Sequence, residues 1–262
     1  MIIYPICSSS KGNCTYISDE KTGLLIDAGF GIRNLCKYLT SASFSYQNIK
    51  AIFITHEHTD HISGLCSIIK NLRIPIFASK GTNSALLNKN KIYSEIELHE
   101  IKENKPVYID DFEINAFPTP HDCTQSLGFC ICHNNKKFSI CTDIGHVTPI
   151  VKKKLIGSDL ILLESNYDGN LLQISPYPYH LKKRIMSNLG HLSNDNAAEL
   201  IKYLIHNGVN NFLLGHLSQM NNTPDLALQT TRSYLIKHDL KINNDYLLNV
   251  APIRNDNLIY EV

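Results

Sequence analysis

The sequence predicts an α/β fold in which two mixed β-sheets pack between outer helices, as one domain over residues 1–262. Three observations predict it. Short apolar runs with strand chemistry recur throughout, and helix-like stretches separate them in both halves. No Pro/Gly-rich linker, low-complexity tract or short repeat divides the chain. Hydrophobic residues make up 43% and charged residues 19%, a balance that sustains a buried core and speaks against disorder.

Taken in order, MIIYPI has an apolar start without a basic lead-in, and reads as a first strand rather than a signal peptide. GLLIDA is the next strand, followed by a helix over 31–40, the strand AIFIT, a helix over 62–71 and the strand IPIFAS. VYI, FEINAF, LGFCICH and KFSICTD continue as strands. A helix over 147–156, the strand LILLES and a helix over 179–189 come after them. HLSNDNAAELIKYLIHNG is the clearest helix. Ser193 or Asn194 can cap it, Ala197, Leu200, Ile201, Leu204 and Ile205 recur at helical spacing, and Gly208 ends it. The strand NFLLGH and a helix over 223–238 follow.

The eight cysteines are scattered and form no C-x-x-C pair, which predicts reduced, packed thiols in a cytoplasmic protein. No apolar stretch approaches a membrane span, so no membrane partner is expected. A net charge of +1 neither requires nor excludes nucleic acid. Two basic runs, Lys152, Lys153, Lys154 and Lys182, Lys183, Arg184, read as solvated helix faces unless another argument brings phosphate to them.

Chemistry concentrates in IFITHEHTDH, where His56, His58, Asp60 and His61 follow a β-branched apolar run. On a strand, positions 56 and 58 point the same way, so two imidazoles converge on one ion. Asp60 and His61 come after the chain has begun to turn and can serve a second ion nearby. Imidazole and carboxylate suit zinc, manganese or iron, and the lack of thiolates argues against a purely structural zinc site.

T-H-x-H-x-D-H resembles the hallmark of the metallo-β-lactamase fold hydrolases, and further motifs follow in that fold's order: LLIDAG with Asp27, TPHD with His121, CTDIG with Asp143 and LLGHLS with His216. The resemblance implies a four-layer αββα sandwich. It implies two divalent ions, zinc or manganese, one bound by His56, His58 and His121 and the other by Asp60, His61 and His216. Asp143 would bridge them, and Asp27 would buttress the ligand loop. His99, His133, His146, His180, His206 and His238 lack such context and are expected not to be ligands.

SSSKGNCTYI, YPYHLKKRI, GHLSN and HLSQMNNTP are similar to the bacterial YycJ/WalJ family, single-domain relatives of ribonuclease Z and the β-CASP nucleases. That similarity runs from Ser8 to about Leu226 and implies a 5′-to-3′ exonuclease acting on DNA. The interval between Asp143 and His216 is filled by these motifs and leaves no room for a β-CASP domain. Asp60, as ligand, and His191, as proton donor to the leaving oxygen, would serve the chemistry, with a metal-held hydroxide attacking phosphorus. Glu164 would orient His191, although a strand-end carboxylate is also a common surface feature. Ser9, Ser10 and Asn13, Ser193 and Asn194, and Ser218 and Asn222 are candidates to touch the substrate backbone. They equally suit turns and caps. No G-x-S-x-G elbow supports a serine hydrolase. A small-molecule hydrolase of the same fold (cyclic phosphodiesterase, lactonase or thioesterase), an RNA-processing nuclease, or a metal-stabilised scaffold without turnover are the alternatives.

Overall fold

The computed structural model describes residues 1–88, 97–254 and 257–262. Among these, the strands form two sheets of seven. The first contains β1 (Ile2–Ser9), β2 (Gly12–Ser18), β3 (Gly23–Ile26), β4 (Ile49–Phe53), β5 (Ile76–Ala78) and β6 (Leu98–Glu100) in spatial order. The second contains β7 (Val107–Ile109), β8 (Phe112–Pro118), β9 (Leu127–His133), β10 (Lys136–Cys141), β11 (Leu160–Glu164), β12 (Asn211–Gly215) and β13 (Leu247–Val250). The last strand, β14 (Tyr260–Glu261), pairs with the free edge of β1. Each sheet is part antiparallel and part parallel: β3 to β6 run parallel in one, and β10 to β13 in the other. Parallel strands are covered on both faces, which is why LILLE and NFLLG read as near-continuous apolar runs.

The helices are α1 (Ile32–Ser41), α2 (Thr59–Ile62), α3 (Leu65–Leu72), α4 (Lys80–Asn88), α5 (Pro149–Leu155), α6 (Gly169–Ile174), α7 (Tyr179–Ile185), α8 (Asn194–Ile205) and α9 (Pro224–Ile236). Leu35 and Leu39 of α1 and Ile68 of α3 bury against the first sheet, while Leu155, Leu204 and Leu235 do the same for the second. Between the sheets lie Ile3, Ile17, Ile114, Phe138 and Leu162. There Phe53 meets Phe129 edge-on at 5.8 Å and stacks on Phe77 at 5.0 Å. The result is the expected sandwich of helices, two sheets and helices.

Ser193 caps α8, its hydroxyl accepting from the Asn196 amide, and Gly208 follows the helix at φ +84°, a conformation that suits glycine. The short elements β6, β13, β14 and α6 were not anticipated, because so few residues show no period. The expectation also changes at SSSKGN. Instead of a loop, β1 and β2 form a hairpin with Ser9 opposite Gly12, so only Ser10 and Lys11 turn. The buried polar residues Asn13, Thr15 and Ser18 disguised β2 in the sequence.

Candidate metal centre

The expected strands GLLIDA, AIFIT, KFSICTD and NFLLGH all stop short, leaving their polar ends as turns along one edge of the sandwich. Three of those turns are strained. Asp27, Asp143 and His216 take φ of 62°, 55° and 54°, the left-handed region that residues with a Cβ seldom adopt. Such conformations cost about 1–3 kcal/mol each and persist where the surroundings over-determine them, commonly at functional sites.

From β4 the chain passes through His56 to His58, which precedes α2, and the first turns of α2 carry Asp60 and His61. Gly29 lets this segment dock. A Cβ there would lie 2.1 Å from the Asp60 carbonyl oxygen and 2.4 Å from the Asn13 nitrogen. His121 enters after β8, and its Nδ1 donates to the Gly190 carbonyl at 2.9 Å, turning Nε2 inward.

Seven side chains converge. His58 Nδ1 and His121 Nε2 are 3.2 Å apart, and His121 Nε2 and Asp143 Oδ1 are 3.5 Å apart. His61 Nε2 lies 3.2 Å from Asp143 Oδ2 and 3.3 Å from Asp60 Oδ2, and His216 Nε2 lies 3.4 Å from Asp60 Oδ2. The ligand atoms of His56, His58 and His121 lie within 4.8 Å of one another, as do those of Asp60, His61 and His216. His56 is fully buried, and its Nε2 has no hydrogen-bond partner among the described residues. A buried imidazole nitrogen left unpaired is costly unless something accepts its lone pair. This all-nitrogen-and-oxygen donor set fits a divalent metal.

Behind these groups stands a layer that fixes their tautomers. Asp27 accepts from His61 Nδ1 at 2.7 Å and from the Thr55 amide at 2.8 Å. Thr55 Oγ1 lies 3.1 Å from both His56 Nδ1 and His61 Nδ1. Asn13 Nδ2 donates to Asp60 at 3.2 Å and sits 3.0 Å from His61 Nε2. Glu164 is fully buried and accepts four hydrogen bonds. Its Oε1 takes His216 Nδ1 and His191 Nδ1, both at 2.8 Å, and its Oε2 takes the amides of Ile144 at 2.9 Å and Leu192 at 3.1 Å. Thr55, Ile144 and Leu192 were missed in the sequence, because main-chain and hydroxyl partners carry no motif.

The electrostatics follow from this packing. Burial alone would raise the Asp143 and Asp60 carboxyls, but the surrounding histidines hold both well below the usual range. Burial likewise raises Glu164, yet His191 and His216 pull it down to about 2. Burial disfavours a charged His216, but Asp143, Asp60 and Glu164 push it up to about 10, and Asp27 and Asp143 similarly raise His61. His56 and His58 are depressed, first by burial and then by neighbouring histidines. The neutral imidazoles that a metal needs are thus already favoured at these two.

His191 lies two residues before the cap of α8 rather than opening that helix. Its side chain is 15% exposed, and its ring centroid is 5.0 Å from that of His121 and 5.4 Å from that of His216. Ser9 and Asn13 are buried, the Ser9 hydroxyl accepting from the Lys11 amide, while Ser10 is exposed at the hairpin turn. Asn194 and Asn222 differ from the expectation of a substrate-facing pair: both are buried and bond each other at 2.8 and 3.0 Å. Ser193 spends its hydroxyl on the helix cap, and Ser218 accepts from the Asn221 amide. The second basic run is also engaged. Arg184 forks onto Asp122, beside His121, and Lys182 donates to the Gln173 carbonyl. His99 and His133, expected not to be ligands, stack on Phe77 and Phe112 away from the cluster.

A sandwich with a histidine–aspartate cluster across its edge defines a class. The family model described as Beta-lactamase superfamily domain matches residues 22–216, and the chain belongs to this superfamily. It is 31% identical to exodeoxyribonuclease WalJ of Streptococcus pneumoniae, over 92% of this chain and 90% of that protein. Exodeoxyribonuclease YycJ of Bacillus anthracis is 29% identical, over 88% and 87%. Among solved structures, the metallo-β-lactamase fold protein YhfI of Bacillus subtilis superposes with a TM-score of 0.74 at 15% identity, covering 99% of both chains, and so shares the fold.

Proposed function

We propose that this protein is a metal-dependent phosphodiesterase that degrades DNA from a 5′ end. The observation that carries this reading is similarity along nine-tenths of the chain to relatives named exodeoxyribonucleases. Two divalent ions, zinc or manganese, would be held by His56, His58 and His121 and by Asp60, His61 and His216, with Asp143 between them. Such a pair supplies a water of lowered pKa and neutralises charge on phosphoryl oxygens.

The chain's own groups do the rest. Glu164 fixes the His191 tautomer by taking its Nδ1 proton in a hydrogen bond, leaving Nε2 as the atom that gives a proton to the departing sugar oxygen. The same carboxylate orients His216, so the proton donor and the metal site are set by one group. Asp27 and Thr55 hold His61 and His56 in fixed rotamers, which keeps the donor set preorganised. No helix among the described residues is long and apolar enough to cross a membrane. Free cysteines at all eight positions accord with a reducing cytoplasm.

Metal-loaded protein incubated with end-labelled linear DNA, closed circular DNA and RNA tests the reading. Release of short products from 5′ ends of linear DNA, with circles intact, is the expected result. Turnover of lactones, thioesters or cyclic nucleotides with both polymers untouched would replace it by a small-molecule hydrolase.

A further inference from the structure

Beside the half of the cluster formed by Asp60, His61 and His216, the surface opens into a cavity of about 740 Å³. It shares a wall with that half-site. Gly29, which lines it, packs on the Asp60 main chain, and Asn13 reaches from the β1–β2 hairpin to Asp60 and His61. Leu217, next to His216, lines it too and bridges to Ser9.

Its chemistry is one-sided. Lys11, Lys37 and Arg254 line it, and no carboxylate does. Among the described residues none of these three cations is within ion-pair distance of an acid. They differ in this from Arg184, Lys182 and Lys136, which bond Asp122, a carbonyl and Asp159. Phe30 and Tyr38 form part of the wall, their rings meeting edge-on at 5.9 Å. A second cavity of about 580 Å³ along α8 mixes Glu199 with Lys152 and Lys202. There Lys152 already covers the Tyr203 ring at 4.7 Å, so that groove satisfies itself.

Cations without counter-ions beside aromatic rings suit a ligand with both a phosphate and a π-face. The volume lies within the roughly 300–1,000 Å³ usual for small-ligand sites. We infer that this cavity is a nucleotide subsite. It holds one nucleotide of the DNA strand flanking the bond at the metal centre, with the phosphate on Lys11, Lys37 and Arg254 and the base against Phe30 and Tyr38. The assignment rests on the nuclease reading above. Because every base offers a π-face, a subsite of this kind tolerates any sequence.

The test uses the metal-loaded protein and a fluorescent, nuclease-resistant phosphorothioate dT 12-mer, with affinity read by anisotropy across a salt series. Lys37 and Arg254 are exposed, so the Lys37→Ala/Arg254→Ala double variant should keep the wild-type Tm. It should bind about tenfold or more weakly, and its slope of log K against log salt should fall by about 1.4, near 0.7 per lost phosphate contact on single strands. Lys50→Ala, a charge removed at the opposite end of β4, should bind as wild type does. An abasic 12-mer should bind the wild type about fivefold or more weakly than dT, through lost stacking. Unchanged affinity and slope in the double variant, or equal affinity for the abasic strand, would overturn the subsite. DNA held through Lys37 and Arg254 but never cleaved keeps the subsite and overturns the exonuclease reading alone.

Discussion

Replacing Glu164 by Gln changes one atom's chemistry and almost no volume, yet the four hydrogen bonds at this carboxylate cannot survive it. If the amide oxygen faces His216 and His191, its NH2 confronts the amides of Ile144 and Leu192, leaving two buried N–H groups opposite a donor. Each such orphan costs about 1–3 kcal/mol, so this orientation loses about 2–6 kcal/mol. If the amide flips, its NH2 faces the two imidazoles and both must present Nδ1 as an acceptor. The proton then moves to Nε2, the atom that His216 turns toward Asp60 and Asp143. That orientation keeps the fold and loses the metal ligand. Either way the variant fails in a measurable place. Urea unfolding of the chelator-treated protein reads the first loss, and metal analysis by mass spectrometry reads the second. Stability within about 1 kcal/mol of wild type, together with full metal content, would refute the argued role of Glu164.

Asp143→Ala should lower metal content and abolish hydrolysis together while the apolar core keeps the fold; metal retained at full stoichiometry would count against a bridging Asp143. His191→Ala should lower turnover by roughly a hundredfold or more with metal content unchanged, and near-normal turnover would remove it from proton transfer. Metal uptake should release protons. In the metal-free protein the charged form of His216 is favoured by Asp143, Asp60 and Glu164 against burial, and its pKa is about 10. The stability it contributes is therefore complete below the ordinary histidine pKa of about 6.5 and is lost as pH rises through about 10. An ion takes only neutral imidazole, so metal affinity should rise with pH across that window; an indicator-dye titration at pH 7.5 showing no proton release would contradict this.

The sequence made the strand-then-polar pattern legible because parallel strands buried on both faces leave apolar runs, and the turn that ends each run carries the functional side chain. His56, His58, Asp60 and His61 announced themselves by density. The partners that hold them did not. Gly29 is needed for a contact between segments distant in the chain, which no local pattern encodes. Asn194 and Asn222 read as surface amides because polar residues usually are, whereas here they satisfy one another and the Ser165 carbonyl inside the protein. The basic run at 182–184 read as a solvated face, but its arginine is tied to the His121 loop by a carboxylate 62 positions earlier. The cavity cations lie at positions 11, 37 and 254, too scattered to form any motif.

The ligand cluster draws on both sheets. His56, His58, Asp60 and His61 follow β4, whereas His121, Asp143 and His216 follow strands of the other sheet. On the proposed assignment each ion would bind side chains from both layers, so the ions would act as rivets across the sandwich. By mass action, a ligand that binds only the folded state adds about 2.7 kcal/mol at a hundred times its dissociation constant and about 4.1 kcal/mol at a thousand times. Against a typical total of roughly 5–15 kcal/mol, that is a large share. The lifetime of the protein in a cell would then track the free metal supply, and starvation for the ion would remove the enzyme through turnover of its loosened fold as well as by silencing it.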